Sequence, residues 1–186
     1  MQEMNGHQKQ KEQSRQMIVS ALFELLDEKE YSKISVSEIV KRADVARRTF
    51  YRLYDNKEDI IRNYFEQLCQ EYQNSYPKLD SYNFKQIARE YFSFWYQYRD
   101  RLLKFHKSGM DDILYYSISS TSTQVIKSRI AQEHMRQVKG LEYFADYSGG
   151  GFISLLFRWI ESGMEVPPEQ YADMVSEGIL KFISIG

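Results

Sequence analysis

The chain has 186 residues, 42% hydrophobic and 15% aromatic, so it is long enough to bury a real core and too apolar for a disordered polyelectrolyte. Its 25 Lys plus Arg against 26 Asp plus Glu leave a net charge of -1, which says nothing in favour of a general polyanion binder and requires any nucleic-acid contact to come from local clustering. One cysteine, Cys69, excludes an intrachain disulfide and a cysteine-based zinc site and points to a reducing, cytoplasmic setting.

Residues 1–16 are polar, without the apolar stretch of a signal peptide, and no segment approaches the roughly 20 apolar residues needed to span a bilayer. Ile18, Leu22, Leu25 and Leu26 recur at one-turn spacing and predict an amphipathic helix from about Gln10 to Lys29. After the linker Tyr31-Ser32-Lys33-Ile34, Ser35 and Glu38 have capping-box spacing and open a second helix with Ile39, Val40 and Ala43 inside. A turn follows at Asp44-Val45, since Asp tolerates the left-handed backbone. Beyond it Phe50 and Tyr54 face inward with Val45, which leaves Arg47, Arg48, Thr49, Tyr51 and Arg52 outside. Between Lys41 and Lys57 stand Lys41, Arg42, Arg47, Arg48, Arg52 and Lys57 against Asp44 and Asp55, a local positive patch in a near-neutral chain. A capped helix, a tight turn and a second short cationic helix are the plan of a DNA-reading helix-turn-helix.

From Asn56 to about Ser75, Ile61, Tyr64, Phe65, Leu68 and Tyr72 predict a helix, with Cys69 as a small buried residue. Aromatic density then rises from Tyr82 to Lys107. Ile87, Tyr91, Trp95 and Tyr98 form a helical stripe, with Phe105 further on, readable either as the wall of a pocket for an apolar or aromatic effector or as plain core packing. Ile113 to Tyr116 can open a helix, the run Ser117 to Thr123 reads as a break, and a helix resumes over Gln124 to Val138. The stretch from Asp146 to Ile160 is apolar nearly all round. It predicts a helix that packs on its own body on one side and on a partner on the other. Its glycines, Gly149 to Gly151, suit close helix packing; as a phosphate cradle at a helix start they lack the Lys and Ser or Thr of a P-loop. Pro167-Pro168 begins a last helix with Tyr171, Met174, Val175, Gly178, Ile179 and Phe182 in a stripe, and this terminal pair fits a four-helix interface in a twofold dimer.

The run Ala43-Asp44-Val45-Ala46-Arg47-Arg48-Thr49-Phe50-Tyr51-Arg52-Leu53-Tyr54, followed by Asn56-Lys57-Glu58-Asp59-Ile60, resembles the N-terminal signature of the TetR family of bacterial transcriptional regulators. The Gly-rich start and Phe157-Arg158-Trp159-Ile160-Glu161-Ser162-Gly163 resemble one C-terminal subclass of that family, some members of which act as coactivators. The resemblance implies a recognition helix in a DNA major groove. It places Ser35, Ser37, Thr49, Tyr51 and Lys57 toward phosphates and Arg47 and Arg48 toward base edges, in keeping with the fork that Arg presents to guanine. Three positions depart from the family pattern: Asp44 replaces the usual turn Gly, Ala46 a capping Ser or Thr, and Leu53 a His or Tyr.

The expected architecture is all-α, with a helix-turn-helix DNA-binding domain over 1–55 in a three-helix bundle and a helical regulatory and dimerisation domain over 56–186. The expected function is that of a cytoplasmic DNA-binding regulator, a repressor whose hold on a double-stranded operator responds to a small effector. The alternatives are a coactivator working through a protein partner and a helical ligand-binding protein without DNA contacts. Tyr91, Trp95, Tyr98 and Phe105 are the effector candidates. No cofactor, metal or catalysis is expected: His106 and His134 lack a second ligand at a persuasive spacing, and no nucleophile has a base.

Overall fold

The computed structural model describes residues 6–75, 84–119, 127 and 139–184, and all secondary structure among them is helical. The first helix, α1 (Gly6–Glu28), starts earlier than its apolar stripe, because the stripe marks only the part that packs while Gln and Lys extend the helix into water. Its Ile18, Leu22 and Leu25 are buried against α2 (Val36–Arg42) and α3 (Arg47–Leu53), with Ile39, Ala43, Phe50 and Tyr54 completing the core of the head.

Local chemistry fixes each end of these short helices. The Ser35 hydroxyl accepts from the Glu38 N–H (3.3 Å) while the Glu38 carboxylate accepts from the Ser35 N–H (3.0 Å), the reciprocal capping box that the spacing predicts. At the far end of α2, Asp44 takes φ +50°, Val45 N–H donates to the Val40 carbonyl (3.1 Å) and Asp44 N–H to that of Lys41 (3.4 Å). This is a Schellman ending with Asp in the place glycine usually fills. Ala46 starts α3 without a side-chain cap.

The body begins at α4 (Lys57–Ser75), where Asn56 accepts from the Asp59 N–H (2.9 Å) and the Asp59 carboxylate accepts from the Asp55 N–H (3.0 Å). It continues through α5 (Phe84–Tyr96), α6 (Arg99–Lys107), α7 with described residues 111–119, α8 (Leu141–Glu161) and α9 (Pro168–Ile183). The helices α5 and α9 pack together most extensively, and α6 lies on α8. Trp159 is stacked between Tyr171 (centroids 4.9 Å apart) and Tyr96 (5.6 Å), with its indole N–H donating to the Val166 carbonyl (3.1 Å). No helix among the described residues is long and apolar enough to cross a membrane.

Two expectations need correction. The aromatic stripe does not run through one helix: α5 ends at Tyr96, and Tyr98 sits at the start of α6, beyond a turn that carries Arg99 to the carbonyls of Gly163 (2.7 Å) and Met164 (3.2 Å) at the end of α8. Residues 117–119 stay helical, and the hydroxyls of Ser117 and Ser119 are satisfied by the carbonyls of Ile113 (2.8 Å) and Tyr116 (3.3 Å) within the helix. The glycines do not start a helix: α8 begins at Leu141, eight residues before Gly149, so their N–H groups belong to a helix interior, which agrees with the preference for helix packing over a phosphate cradle. The helix expected over Gln124 to Val138 lies outside the described residues except for 127, as do Pro77 and Tyr82.

Candidate nucleic-acid interface

Phe50 is fully buried in the head, and that anchor decides which way the rest of α3 faces. Residues on the other side of the helix, Arg47, Arg48, Tyr51 and Arg52, are exposed, and Thr49 is half-buried beside them. The Arg47 guanidinium lies 5.7 Å from the centre of the Tyr51 ring and 3.5 Å from its hydroxyl, so the aromatic side chain one turn later steadies the arginine stem. Tyr51 is 49% exposed, a large ring left in water on a short helix. Ser37, on the first turn of α2, is also exposed.

The positive patch is narrower than a count of cations suggests. The Arg42 guanidinium turns back onto α1 and pairs with Glu28 (2.8 Å) and Glu24 (3.3 Å). The Lys57 ammonium is directed inside the head, to the carbonyls of Tyr31 (2.8 Å) and Ile34 (2.9 Å). Lys41, Arg47, Arg48 and Arg52 remain as exposed cations with no ion pair among the described residues. Ser35 is exposed, but its hydroxyl also donates to Glu38 (2.8 Å), so it serves the cap in both directions. Lys29 bonds the same carboxylate, and this ammonium, followed by the Ser35 backbone N–H, holds the Glu38 carboxyl down at about 2.

The four aromatic candidates fall in two places. Tyr91 and Trp95 are buried together (ring centroids 6.3 Å apart), and Tyr91 packs against Tyr72, Phe92 and Phe152. Tyr98 reaches this cluster through Phe94 and donates its hydroxyl to Glu71 (3.0 Å); burial, followed by Glu71, pushes its phenol up to about 12. The Trp95 indole N–H is buried without a hydrogen-bond partner among the described residues. Phe105 lies elsewhere, between Phe23 of α1 (5.0 Å) and Phe65 of α4 (5.3 Å).

Phe105 instead marks a joint between head and body that sequence reasoning missed. Arg101 lies over the rings of Phe23 (5.0 Å) and Tyr64 (5.2 Å) and bonds the Tyr64 hydroxyl, while Lys104 pairs with Asp27 (2.6 Å) and donates to the Phe23 carbonyl (3.3 Å). These groups come from three helices far apart in sequence, so no linear spacing announces them.

Comparison with known proteins agrees with this geometry. Residues 18–64 match the family model of the bacterial regulatory proteins, tetR family, and residues 82–181, more than half of the chain, match that of the transcriptional regulator C-terminal region. Among solved structures, the dihydroxyacetone kinase operon activator DhaS is similar at 18% identity and TM-score 0.65, over 92% of this chain and 97% of that one. A Listeria innocua protein is similar at 14% identity and TM-score 0.73, over 97% and 96%. A TetR-family regulator assigned to Syntrophomonas wolfei is similar at 20% identity and TM-score 0.62, over 94% and 96%. A search among curated proteins returned no match. With a capped helix-turn-helix that exposes an arginine edge, an all-helical body behind it and family matches over both, the chain belongs to the TetR family of DNA-binding transcriptional regulators.

Proposed function

We propose that the chain is a homodimeric repressor, with residues 1–55 as reading head and 56–186 as regulatory and dimerising body. Arg47 and Arg48 read base edges of a palindromic operator, and Ser37, Thr49 and Tyr51 hold phosphates. The observation that carries this reading is the exposed Arg47–Arg48–Tyr51 edge of α3, held outward by buried Phe50. Dimerisation uses α8 and α9: Tyr143, Tyr147 and Met174 are 73%, 81% and 57% exposed, and added Cβ atoms at Gly150, Gly151 and Gly178 would meet nothing within 4 Å. Such an apolar face is costly to leave in water and pairs two heads on one face of DNA. A small apolar or aromatic effector fits the Tyr91–Trp95–Tyr98 cluster, where the Trp95 indole N–H supports one bearing an acceptor oxygen. Its leverage is its differential affinity for two head spacings, typically about 1–3 kcal/mol. The reading assigns the chain no catalysis and a cytoplasmic place beside its DNA.

A second reading, a coactivator that works through a protein partner, draws support from the withdrawal of Arg42 and Lys57 from the patch and from the uncapped Ala46. Selection of bound fragments from sheared host DNA at two salt concentrations separates the two. The repressor reading expects one palindromic site, weakened by salt and lost in Arg47→Ala/Tyr51→Ala, since each bidentate base contact is worth about 1–3 kcal/mol. A folded dimer that enriches nothing beyond the double variant sinks autonomous operator binding.

A further inference from the structure

Lys57 is the first residue of α4, a position where the helix dipole disfavours a cation, so some other partner must hold it there. Its ammonium meets the carbonyls of Tyr31 (2.8 Å) and Ile34 (2.9 Å) and lies 4.2 Å from the centre of the Tyr31 ring. Two of its three N–H donors are thereby committed, and the ring face covers the charge. The next residue of α4 acts on the same tyrosine: burial, followed by the Glu58 carboxylate, raises the Tyr31 phenol far above its ordinary range.

The carbonyl of Ile34 immediately precedes Ser35, the cap of α2. The exit from α3 is fastened to the same turn of α4, through Asn56 and through the Asp59 carboxylate on the Asp55 N–H (3.0 Å). The helix-turn-helix is therefore a closed loop whose entrance and exit are both tied to one helical turn. Without the Lys57 bonds the exit would stay fixed to α4 by chain connectivity, while the entrance would keep its Lys29–Glu38 pair beside α1 and lose these bonds to α4.

We propose that Lys57 is a positioning residue that locks α2 and α3 to α4, so that the reading edge follows any tilt of α4, and that it neutralises no phosphate. This rests on the DNA-reading function proposed above and assigns one of its residues a different role.

The test uses the full-length protein with Lys57→Met, which keeps the stem without the charge, and Lys57→Arg, which keeps the charge in a larger planar fork. Amide hydrogen exchange without DNA is followed by binding to a short random-sequence duplex across a salt series. Lys57→Met is expected to speed exchange at Lys33 and Ile34 roughly tenfold while α5 and α9 keep their protection. It weakens DNA binding with the wild-type salt slope, and Lys57→Arg restores neither. A phosphate contact would instead lower the log–log slope by about 1.8 for the dimer, two lysines at about 0.9 each, with recovery in Lys57→Arg. That result overturns the proposal, as does unchanged exchange in the linker or a uniform rise across all helices. Should Lys57→Met not fold, Lys57→Gln replaces it in both measurements. If wild type shows no salt-dependent binding, the DNA reading fails while the exchange measurement still decides on the lock.

Discussion

Helices α3 and α8 each bury one side and leave the other uncovered, but what they leave uncovered differs in kind. Behind α3 lies Phe50, fully buried; in front stand Arg47, Arg48 and Arg52. Behind α8 lie Ile153, Leu156 and Trp159, also fully buried; in front stand Tyr143, Tyr147 and a patch of bare glycine backbone. Guanidinium groups are well hydrated without a partner, whereas a contiguous aromatic face is not. The head thus presents a charged face that water can hold, while α8 leaves an apolar face uncovered among the described residues. The difference teaches that contacts at the two faces should answer to different solution variables: salt for the first, protein concentration for the second.

Damage to α8 is the strongest way to break this contrast. Tyr147→Glu combined with Gly151→Glu puts unpaired carboxylates on the uncovered face and should weaken association by about 2–4 kcal/mol or more, turning a dimer into a monomer by sedimentation at micromolar concentration. A variant that still sediments as a dimer would mean that association uses another surface. On the head side the expected effects are smaller. Ser35→Ala removes the cap of α2 and should cost about 0.5–2 kcal/mol in urea unfolding, with dimer association intact. A loss of association in this variant would show that the two faces are not independent.

The smallest expected effect is a pH dependence confined to the head. Lys29 and Ser35 depress the folded-state pKa of Glu38 from 4.5 to about 2. The unfolded chain therefore binds the proton more readily, so the stabilisation is present above about 4.5 and is lost as pH falls toward 2. Circular dichroism of wild type and Glu38→Gln over that acid range should converge toward its low end. Parallel curves throughout would remove Glu38 from the account.

The head was legible in the sequence because its signals are local. The Ser35–Glu38 box spans one turn, Asp44 announces its own left-handed backbone, and Phe50 with Tyr54 orients α3. What stayed hidden involves partners many residues apart. Arg42 belongs to the patch by its neighbours in sequence, yet Glu24 and Glu28 on α1 claim it. Lys57 belongs to it on the same ground, though its carbonyl partners lie 23 and 26 residues earlier. In the body, helical spacing found Tyr91 and Trp95 but carried the stripe through Tyr98, since no proline or glycine marks the turn that lets Arg99 reach the end of α8. Aromatic density alone groups Phe105 with them, and density does not record which helix faces the head.

Gly149 to Gly151 in the middle of α8 have a consequence for how much regulator a cell must make. Each glycine in a helix interior costs about 0.5–1 kcal/mol relative to alanine, so the three together withhold roughly 1.5–3 kcal/mol from the segment that carries the proposed dimer face. In the dimer proposed above, a second chain would add contacts to that segment and offset this cost. Newly synthesised protein at low abundance would then be degraded faster than the same protein at high abundance. Regulatory output would rise more steeply than expression, giving the controlled promoter a threshold in copy number even before any effector is present.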